Sequence, residues 1–360
     1  MSQYVFRRIL LAVPVIIGIL VVTFTIARLI PGDPCTAALG ERATVQACEA
    51  FNERMGLDQP LTVQLGIYMR NVLLRGDFGD SIRFSRPVSI MLIERLPVTI
   101  ELGVAALAIA IAIGVPAGII SAVRRNSTID VVTMIGANIG VSMPVYWLGL
   151  MLAYVFAILL KDTPFWLPPS GRLTAGLLPT PFYEAWGWQL TKDTTAYLIS
   201  DFISNLAIIN SILTFQWNVL QDALRHLILP AVALSTIPMA IIARITRSSM
   251  LDVLGREYVR AARAKGVSER QVVLKHALRN AMLPIITVIG LQVGTLFAGA
   301  VLTETIFGFS GVGRALFDAI TGRDFPVIQA FTVVIAIGYV LVNMLVDLSY
   351  AFIDPRIKLQ

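Results

Sequence analysis

Long apolar stretches alternate with polar segments along this chain, and the apolar stretches are similar in length. Each holds more than twenty residues, the length at which an α-helix can cross about 30 Å of hydrocarbon. They cover residues 9–30, 99–123, 137–160, 227–250, 283–306 and 329–352. The pattern predicts an all-α integral membrane protein with six transmembrane helices.

Two local signals refine these helices. The stretch that begins at Ile9 is too long for a signal peptide, and no small-residue cleavage site precedes Pro31, so we predict that it is the first transmembrane helix. Pro144 lies inside the third stretch and is predicted to bend it, because proline removes a helical hydrogen bond and clashes with the preceding turn. The bend is compatible with a gating joint and with a static kink.

The charged residues give the chain a direction across the membrane. Only 14% of the residues are charged and 56% are hydrophobic, a composition far from that of soluble domains. With the N-terminus inside, the inner segments carry fifteen basic and five acidic residues, and the outer segments carry thirteen and seventeen. This asymmetry predicts that both termini are cytoplasmic. It also accounts for the net charge of +6 without a nucleic-acid partner, since no basic stripe with interleaved aromatic residues is present.

The predicted helices divide the chain into four segments. Residues 1–98 hold the first transmembrane helix and an outer segment, 99–160 hold helices two and three, 161–226 form an outer helical insertion, and 227–360 hold helices four to six with short cytoplasmic helices at 251–282. The apolar run 197–215 is predicted to stay outside, because a further span there would turn the basic segment that follows helix four outward. The insertion is expected to contact an outer partner or to close the outer mouth.

The chain has two cysteines, Cys35 and Cys48, and both fall in the outer segment. An oxidising outer compartment would let them form a disulfide. Two free or separately buried thiols are the alternative.

The most basic connection lies between the fourth and fifth helices, where residues 256–279 carry seven Lys and Arg residues against two acids. Tyr258–Lys265 are mostly good helix formers, and Gly266 can adopt the left-handed conformation that ends a helix. Ser268 and Gln271 have the spacing of a capping box, which opens a helix. The segment is therefore predicted to form two short helices bent at Gly266. The glycines of the fifth helix (Gly290, Gly294 and Gly299) are predicted to allow close helix packing.

This connection resembles the coupling motif of permease subunits in bacterial ABC importers. The resemblance rests on Ala261-Ala262, Gly266 and His276-Ala277-Leu278, whereas the glutamate and the proline of the full pattern are replaced by Arg260 and Arg279. That departure is typical of the dipeptide, oligopeptide and nickel branch of the family. Further matches to this branch are Pro31-Gly32-Asp33-Pro34, Gly76-Asp77-Phe78-Gly79-Asp80-Ser81, Arg95-Leu96-Pro97 with Glu101-Leu102, Glu304-Thr305-Ile306-Phe307 and Asp354-Pro355-Arg356-Ile357. Residues 161–226 are the part least covered by the resemblance.

The resemblance implies a type I ABC importer permease bundle in the bacterial inner membrane that translocates substrate by alternating access. It implies four kinds of partner: a second, homologous permease, two cytoplasmic ATPase subunits, an outer substrate-binding protein and a peptide-like substrate. Nickel chelates, glutathione and oligosaccharides are alternative substrates. The residues that it assigns to ATPase coupling are Glu257, Tyr258, Arg260, Ala261, Ala262, Arg263, Gly266 and Ser268.

The sequence predicts no catalytic, cofactor-binding or metal-binding chemistry for this chain. The sequence contains no G-x-x-x-x-G-K-[ST] phosphate loop and no metal-binding motif, so we expect no catalytic site, no cofactor and no metal. Asn343 and Asp347, four residues apart on one predicted helix, are the best candidates for lining a translocation path. Glu101, Glu304 and Arg28 lie near the predicted interfaces, where snorkelling or an outer salt bridge is expected.

An ion-coupled secondary carrier is the alternative from another class of transporter. Such a carrier needs charged or unwound sites near the midplane, usually in repeated halves, and Asp347 alone offers little of this.

Overall fold

The computed structural model describes residues 2–29, 34–192 and 194–353, and within these ranges it contains helices and no β-strand. The predicted motif residues 31–33 and 354–357 lie outside these ranges, as does the C-terminal end. The helices are α1 Ser2–Leu29, α2 Pro34–Leu39, α3 Val45–Met55, α4 Leu61–Arg75, α5 Val88–Val123, α6 Thr128–Ser142, α7 Val145–Ala153, α8 Phe182–Ala185, α9 Thr195–Ser204, α10 Ala207–Leu213, α11 Trp217–Leu254, α12 Glu257–Ala264, α13 Glu269–Gln271, α14 Leu278–Ile306, α15 Val312–Thr321 and α16 Phe325–Ile353.

Short irregular helices complete this order. A 3₁₀ turn, Gly40–Arg42, follows α2, and π-helical turns cover Tyr154–Leu159 after α7 and Val272–Ala277 before α14. The second π-helical turn joins α13 to α14, so the chain stays helical from Glu269 to Ile306.

Five helical segments are long and apolar enough to cross a membrane: Phe6–Leu29, Val88–Val123, Trp217–Leu254, Glu269–Ile306 and Phe325–Ser349. Two further pairs of helices, α6 with α7 and α9 with α10, meet the same criterion only if each bent pair counts as one span. The described chain therefore has between five and seven candidate spans, a range that includes the predicted six. The all-α membrane class is confirmed.

The third predicted span is not a single kinked helix. Thr128–Ser142 and Val145–Leu159 meet at an angle of 101°. Met143 and Pro144, in extended conformation, separate the two pieces. Proline disfavours the helical conformation in the residue before it and here coincides with the end of α6, whereas α11 continues as a helix through Pro230 and Pro238.

Two helices continue beyond the apolar stretches that predicted them. Helix α5 begins at Val88, well before residue 99, and α11 begins at Trp217, inside the predicted insertion that was to end at 226. The run 197–215, predicted to stay outside, is divided into the two short helices α9 and α10.

The structure divides into two compact units that differ from the four predicted segments. The first consists of Met1–Val98, Pro181–Leu206 and Ser310–Val340, and the second of Thr99–Thr180, Ala207–Phe309 and Leu341–Gln360. The predicted insertion is thus shared between both units. Helices α5 and α16 each contribute residues to both, which a division into consecutive segments cannot represent.

The first unit is held together by an apolar core and a disulfide. Core side chains from α1, α5, α15 and α16 are buried together, with Val88, Val312 and Phe331 fully enclosed. Cys35 and Cys48 are joined by a disulfide, with their Cα atoms 5.4 Å apart. Cys35 packs in a small apolar cluster with Phe51. The disulfide therefore ties α2 to α3 within this unit.

The loop between α4 and α5 is fastened to a buried carboxylate of the same unit. Asp324, 1% exposed, accepts hydrogen bonds from the Ser81 hydroxyl and from the backbone N–H groups of Ile82, at 3.1 Å, and Arg83, at 3.3 Å. The serine that ends the motif from Gly76 to Ser81 therefore holds the loop in place.

The second unit is built on close helix contacts at glycines. A Cβ at Gly114 of α5 would stand 2.7 Å from the Met239 carbonyl oxygen of α11, too close for any larger residue. At Gly290 and Gly299 of α14, the side chains of Val346 and Leu234 occupy the space that a Cβ would need. The close packing predicted for these two glycines is confirmed, and it brings α5, α11, α14 and α16 together around shared contacts.

Candidate functional site

Helix α12 lies between two long helices of the second unit, α11 and the helix over 269–306. It begins after Arg256, whose backbone is extended, and it ends at Lys265. Gly266 then adopts a φ of +76°, and the Val267 N–H donates to the Ala262 carbonyl over 3.3 Å. A left-handed glycine followed by such a bond is a common way to end a helix, and the conformation predicted for Gly266 is confirmed.

One face of α12 packs against the ends of its neighbours. Val259 and Val272 are fully buried and Ala262 is nearly so. They are joined by the partly buried Val253 at the end of α11 and by Val267 after the turn. Apolar contacts therefore connect α12 to both long helices.

The opposite face of α12 is exposed and charged. Tyr258 is 44% exposed, and Glu257, Arg260, Ala261 and Arg263 are exposed as well. Arg260 pairs with Glu257 at 3.3 Å. This face offers a small residue, Ala261, between an aromatic ring and exposed charges.

An ion pair spans the turn at Gly266. Arg263 donates from Nη2 to Glu269 Oε1 over 2.7 Å and from Nε to Oε2 over 3.1 Å. The Glu269 carboxylate raises the pKa of Arg263, so the guanidinium remains charged. Because both side chains are well exposed, the pair is worth at most about 1 kcal/mol.

Two expectations for this segment are wrong. Ser268 is in the N-cap position, but its side chain makes no capping hydrogen bond, so the capping box predicted for Ser268 and Gln271 does not form. No separate second short helix forms, because the chain from Glu269 runs into α14 without a break. Ala262, one of the residues assigned to coupling, lies on the buried face of α12 and packs with Val259 and Val272.

A buried carboxylate that the sequence did not single out joins three helices of the second unit. Asp130, 3% exposed, accepts two hydrogen bonds of 2.7 Å from Arg247 of α11. It also accepts from the Ser121 hydroxyl of α5 and from the Asn126 N–H at 2.9 Å. The junction therefore links α5, α6 and α11.

An apolar cluster lies next to this junction. It includes Ala122 of α5, Met250 of α11 and Ala281 of α14. The ends of these helices are thus packed together close to the segment that carries α12.

The remaining candidate residues lie elsewhere in the second unit. Asn343 and Asp347 are half-buried on α16, a different element from α12. Glu101 pairs with Arg172 and accepts from the Ile208 N–H over 2.7 Å, as expected of a salt bridge. Glu304 is fully buried and accepts from the Thr99 hydroxyl over 2.6 Å, so the expectation of snorkelling is wrong there.

The family of the chain follows from comparison with known proteins. A family model described as "Binding-protein-dependent transport system inner membrane component" matches residues 114–359, which is more than half of the chain. A model for the N-terminal part of such membrane components matches residues 1–103. The chain belongs to this family of transport-system permeases and is a multi-pass inner-membrane protein.

Relatives match it over nearly their whole length. The dipeptide transport system permease protein DppB of Alkalihalophilus pseudofirmus is 46% identical over 358 residues, covering 99% of this chain and 100% of the relative. DppB of Escherichia coli K12 is 42% identical over 359 residues, or 99% of each chain. The di/tripeptide transport system permease protein DppB of Pseudomonas aeruginosa is 42% identical over 362 residues, or 100% of each chain.

Proposed function

We propose that this chain is the substrate-translocating permease subunit of an ATP-driven importer of dipeptides and short oligopeptides. The names of full-length relatives at 42–46% identity support the peptide class. The observation that carries the coupling role is the form of α12, a short helix with a buried apolar face, an exposed opposite face and a glycine-defined end. In this proposal the chain itself does not hydrolyse ATP, and separate ATPase subunits supply the energy for transport.

The proposed complex contains this chain, a second homologous permease, two ATPase subunits and an outer binding protein. The ATPases would contact the exposed face of α12, which includes Tyr258, Ala261 and Arg263. Val259 and Ala262 on the buried face would transfer the resulting movement to α11 and to the helix that begins at Glu269. When the ATPases close, the helices move as rigid bodies and the permease changes from an inward-open to an outward-open state. The ATPases drive this change because they contact the two states differently.

The topology proposed for this mechanism has six spans with both termini in the cytoplasm. Five are the long helices, and the sixth is the bent pair of α6 with the α7 region. The excess of basic residues in the inner segments supports this orientation. It puts α12 inside and the insertion after α7 outside, where the binding protein docks. We also propose that Asn343 and Asp347 line the translocation path.

The test is site-directed cross-linking in the assembled transporter. Ala261→Cys, on the exposed face of α12, should cross-link to an ATPase subunit and should react with a membrane-impermeant thiol reagent only in permeabilised cells. Leu178→Cys, at a residue 87% exposed in the insertion, is the matched control. It should react in intact cells and cross-link to no ATPase. Labelling of Ala261→Cys from outside, or cross-linking of Leu178→Cys to the ATPases, would refute both the orientation and the coupling role.

A further inference from the structure

The first unit contains a cavity of about 390 Å³ that the transport mechanism does not use. It lies between the C-terminal end of α1, α4, the loop after α4 and the first turns of α16. Its lining includes Arg28, Tyr68 and Gln329. Under the topology proposed above, this end of α1 faces the outer side, so the assignment of the cavity to a side of the membrane rests on the proposed function.

Arg28 is held so that part of its guanidinium points at no protein acceptor. Its Nε donates to Gln64 Oε1 over 2.9 Å, and its Cζ lies 3.6 Å from the centroid of the Phe24 ring. The Gln64 side-chain amide donates in turn to the backbone carbonyls of Leu57 and Gln59, which fixes its oxygen towards Arg28. The Nη1 atom of Arg28 is buried and finds no acceptor in the described chain.

Two more buried donors have no acceptor among the described residues. The Tyr68 hydroxyl and Gln329 Nε2 are buried without a hydrogen-bond partner among the described residues, and Gln329 is only 3% exposed. The rings of Phe24 and Tyr68 lie 5.9 Å apart, which brings the phenol next to the stacked guanidinium. The Arg28 guanidinium is also 5.8 Å from the ring of Phe325, one helical turn before Gln329.

All three unpartnered groups can donate, so the cavity is matched to an acceptor. Burial raises the pKa of Tyr68, which keeps its hydroxyl protonated at neutral pH. An unsatisfied buried donor is costly, and three in one cavity are unusual in a folded protein. Water would satisfy the hydrogen bonds, but an oxyanion would in addition pair directly with Nη1 of Arg28, which contacts no acceptor among the described residues.

The mouth of the cavity has the opposite character. Glu53, Asp77 and Arg54 line it and are exposed. The two carboxylates exceed the one guanidinium there, so an ammonium group can pair with the carboxylate that Arg54 does not balance. Ile67, 53% exposed, adds an apolar side chain. A ligand with an oxyanion at one end and an ammonium at the other matches both ends of the site.

We propose that this cavity binds a small zwitterion, whose oxyanion accepts hydrogen bonds from Arg28, Tyr68 and Gln329 and whose ammonium faces Asp77 and Glu53. Two sources supply this chemistry: the headgroup of phosphatidylethanolamine and the two termini of a short peptide. A simple anion lacks the ammonium and binds more weakly.

The test uses the assembled transporter and a variant that preserves side-chain shape, Tyr68→Phe with Gln329→Leu. Because each substitution removes an unpartnered donor, the variant should be as stable as the unmodified protein without ligand, or more so. Tyr183→Phe is the control, since Tyr183 is a buried tyrosine of the same unit that donates to Asp201. Arg28→Gln is the stronger but less conservative variant.

Two arms identify the source of the ligand. In the lipid arm, native mass spectrometry counts the phosphatidylethanolamine that stays bound after purification. In the peptide arm, glycylglycine is added to delipidated transporter and its effect on the melting temperature is measured, with phosphate and acetate as simple anions. One arm should give binding that the double variant weakens about tenfold or more, the effect of losing hydrogen bonds to a charged group.

Binding that is equal in the double variant and the unmodified protein, or absent from both arms, would overturn the proposal. Preference for phosphate or acetate over both zwitterions would overturn the role of Asp77 and Glu53. Neither readout depends on transport or ATP hydrolysis. A failure here therefore leaves the proposed function intact, and the cross-linking test can fail while binding to the cavity persists.

Discussion

The loop 76–87 of the first unit and the segment 256–268 of the second are both short connections between helices, but they are held in opposite ways. The loop closes on Asp324, which is almost completely buried and accepts hydrogen bonds from three donors. The segment contains no buried charge. Its buried face is apolar and its ion pairs are exposed. The shape of its turn depends on the left-handed backbone conformation of Gly266.

This difference separates a connection that resists movement from one that can transmit it. Directional hydrogen bonds to a buried carboxylate hold the loop in one position, and moving it would leave several polar groups unpaired. Apolar contacts have no preferred direction, so α12 can follow α11 and α14 as they move. The shape of the segment is then set by its backbone more than by its charges.

The largest effect is expected from Asp324→Ala. Because this change removes the only acceptor described for Ser81 Oγ and the Ile82 N–H, we expect a loss of about 2–5 kcal/mol in unfolding free energy. The measurements are chemical unfolding of the purified transporter and limited proteolysis of the loop. Asp80→Ala changes an exposed acid in the same loop and should cost less than about 0.5 kcal/mol. Equal effects of the two changes would contradict the role of the buried Asp324 carboxylate in holding the loop.

A much smaller effect is expected from Arg263→Ala. The pair with Glu269 is exposed on both sides, so its loss should change stability by no more than about 1 kcal/mol. Peptide uptake should stay close to that of the unmodified transporter. Glu269→Gln is the matched change on the other partner and should behave alike. If Arg263→Ala abolished uptake while the protein remained folded, the charges would matter more than the shape of the segment.

The sequence predicted those features of the fold that depend on local pattern. Long apolar stretches identified the membrane helices, and a glycine after good helix formers identified the turn at Gly266. Helix ends were less predictable, because α5 and α11 continue as helices where their sequences become polar. The orientation of Ala262 depends on which face of α12 meets the neighbouring helices, and the resemblance to the coupling motif carries no information about that face.

The buried carboxylate contacts were beyond prediction from one sequence. Asp130 and Arg247 are 117 positions apart, and Ser81 and Asp324 are 243 apart. Nothing in the local pattern of either member indicates its partner. The serine in the motif from Gly76 to Ser81 was the only signal, and it marked a conformation of the loop without showing what the serine would contact. Such pairs form only when packing of the helices brings distant segments together.

The proposed coupling depends most directly on the shape of the turn after α12, and substitutions at Gly266 test this shape alone. A Cβ at this position would have no heavy atom within 4 Å, so a substitution there changes backbone preference without a clash. Valine in the left-handed region costs roughly 1–2 kcal/mol, whereas asparagine tolerates it. The measurement is uptake of a labelled dipeptide together with ATP hydrolysis by the reconstituted transporter. We expect Gly266→Val to lower uptake per ATP hydrolysed by about 5- to 30-fold, and Gly266→Asn to stay close to the unmodified protein. Unchanged coupling in Gly266→Val, or equal losses in both variants, would contradict a coupling role set by the shape of this turn.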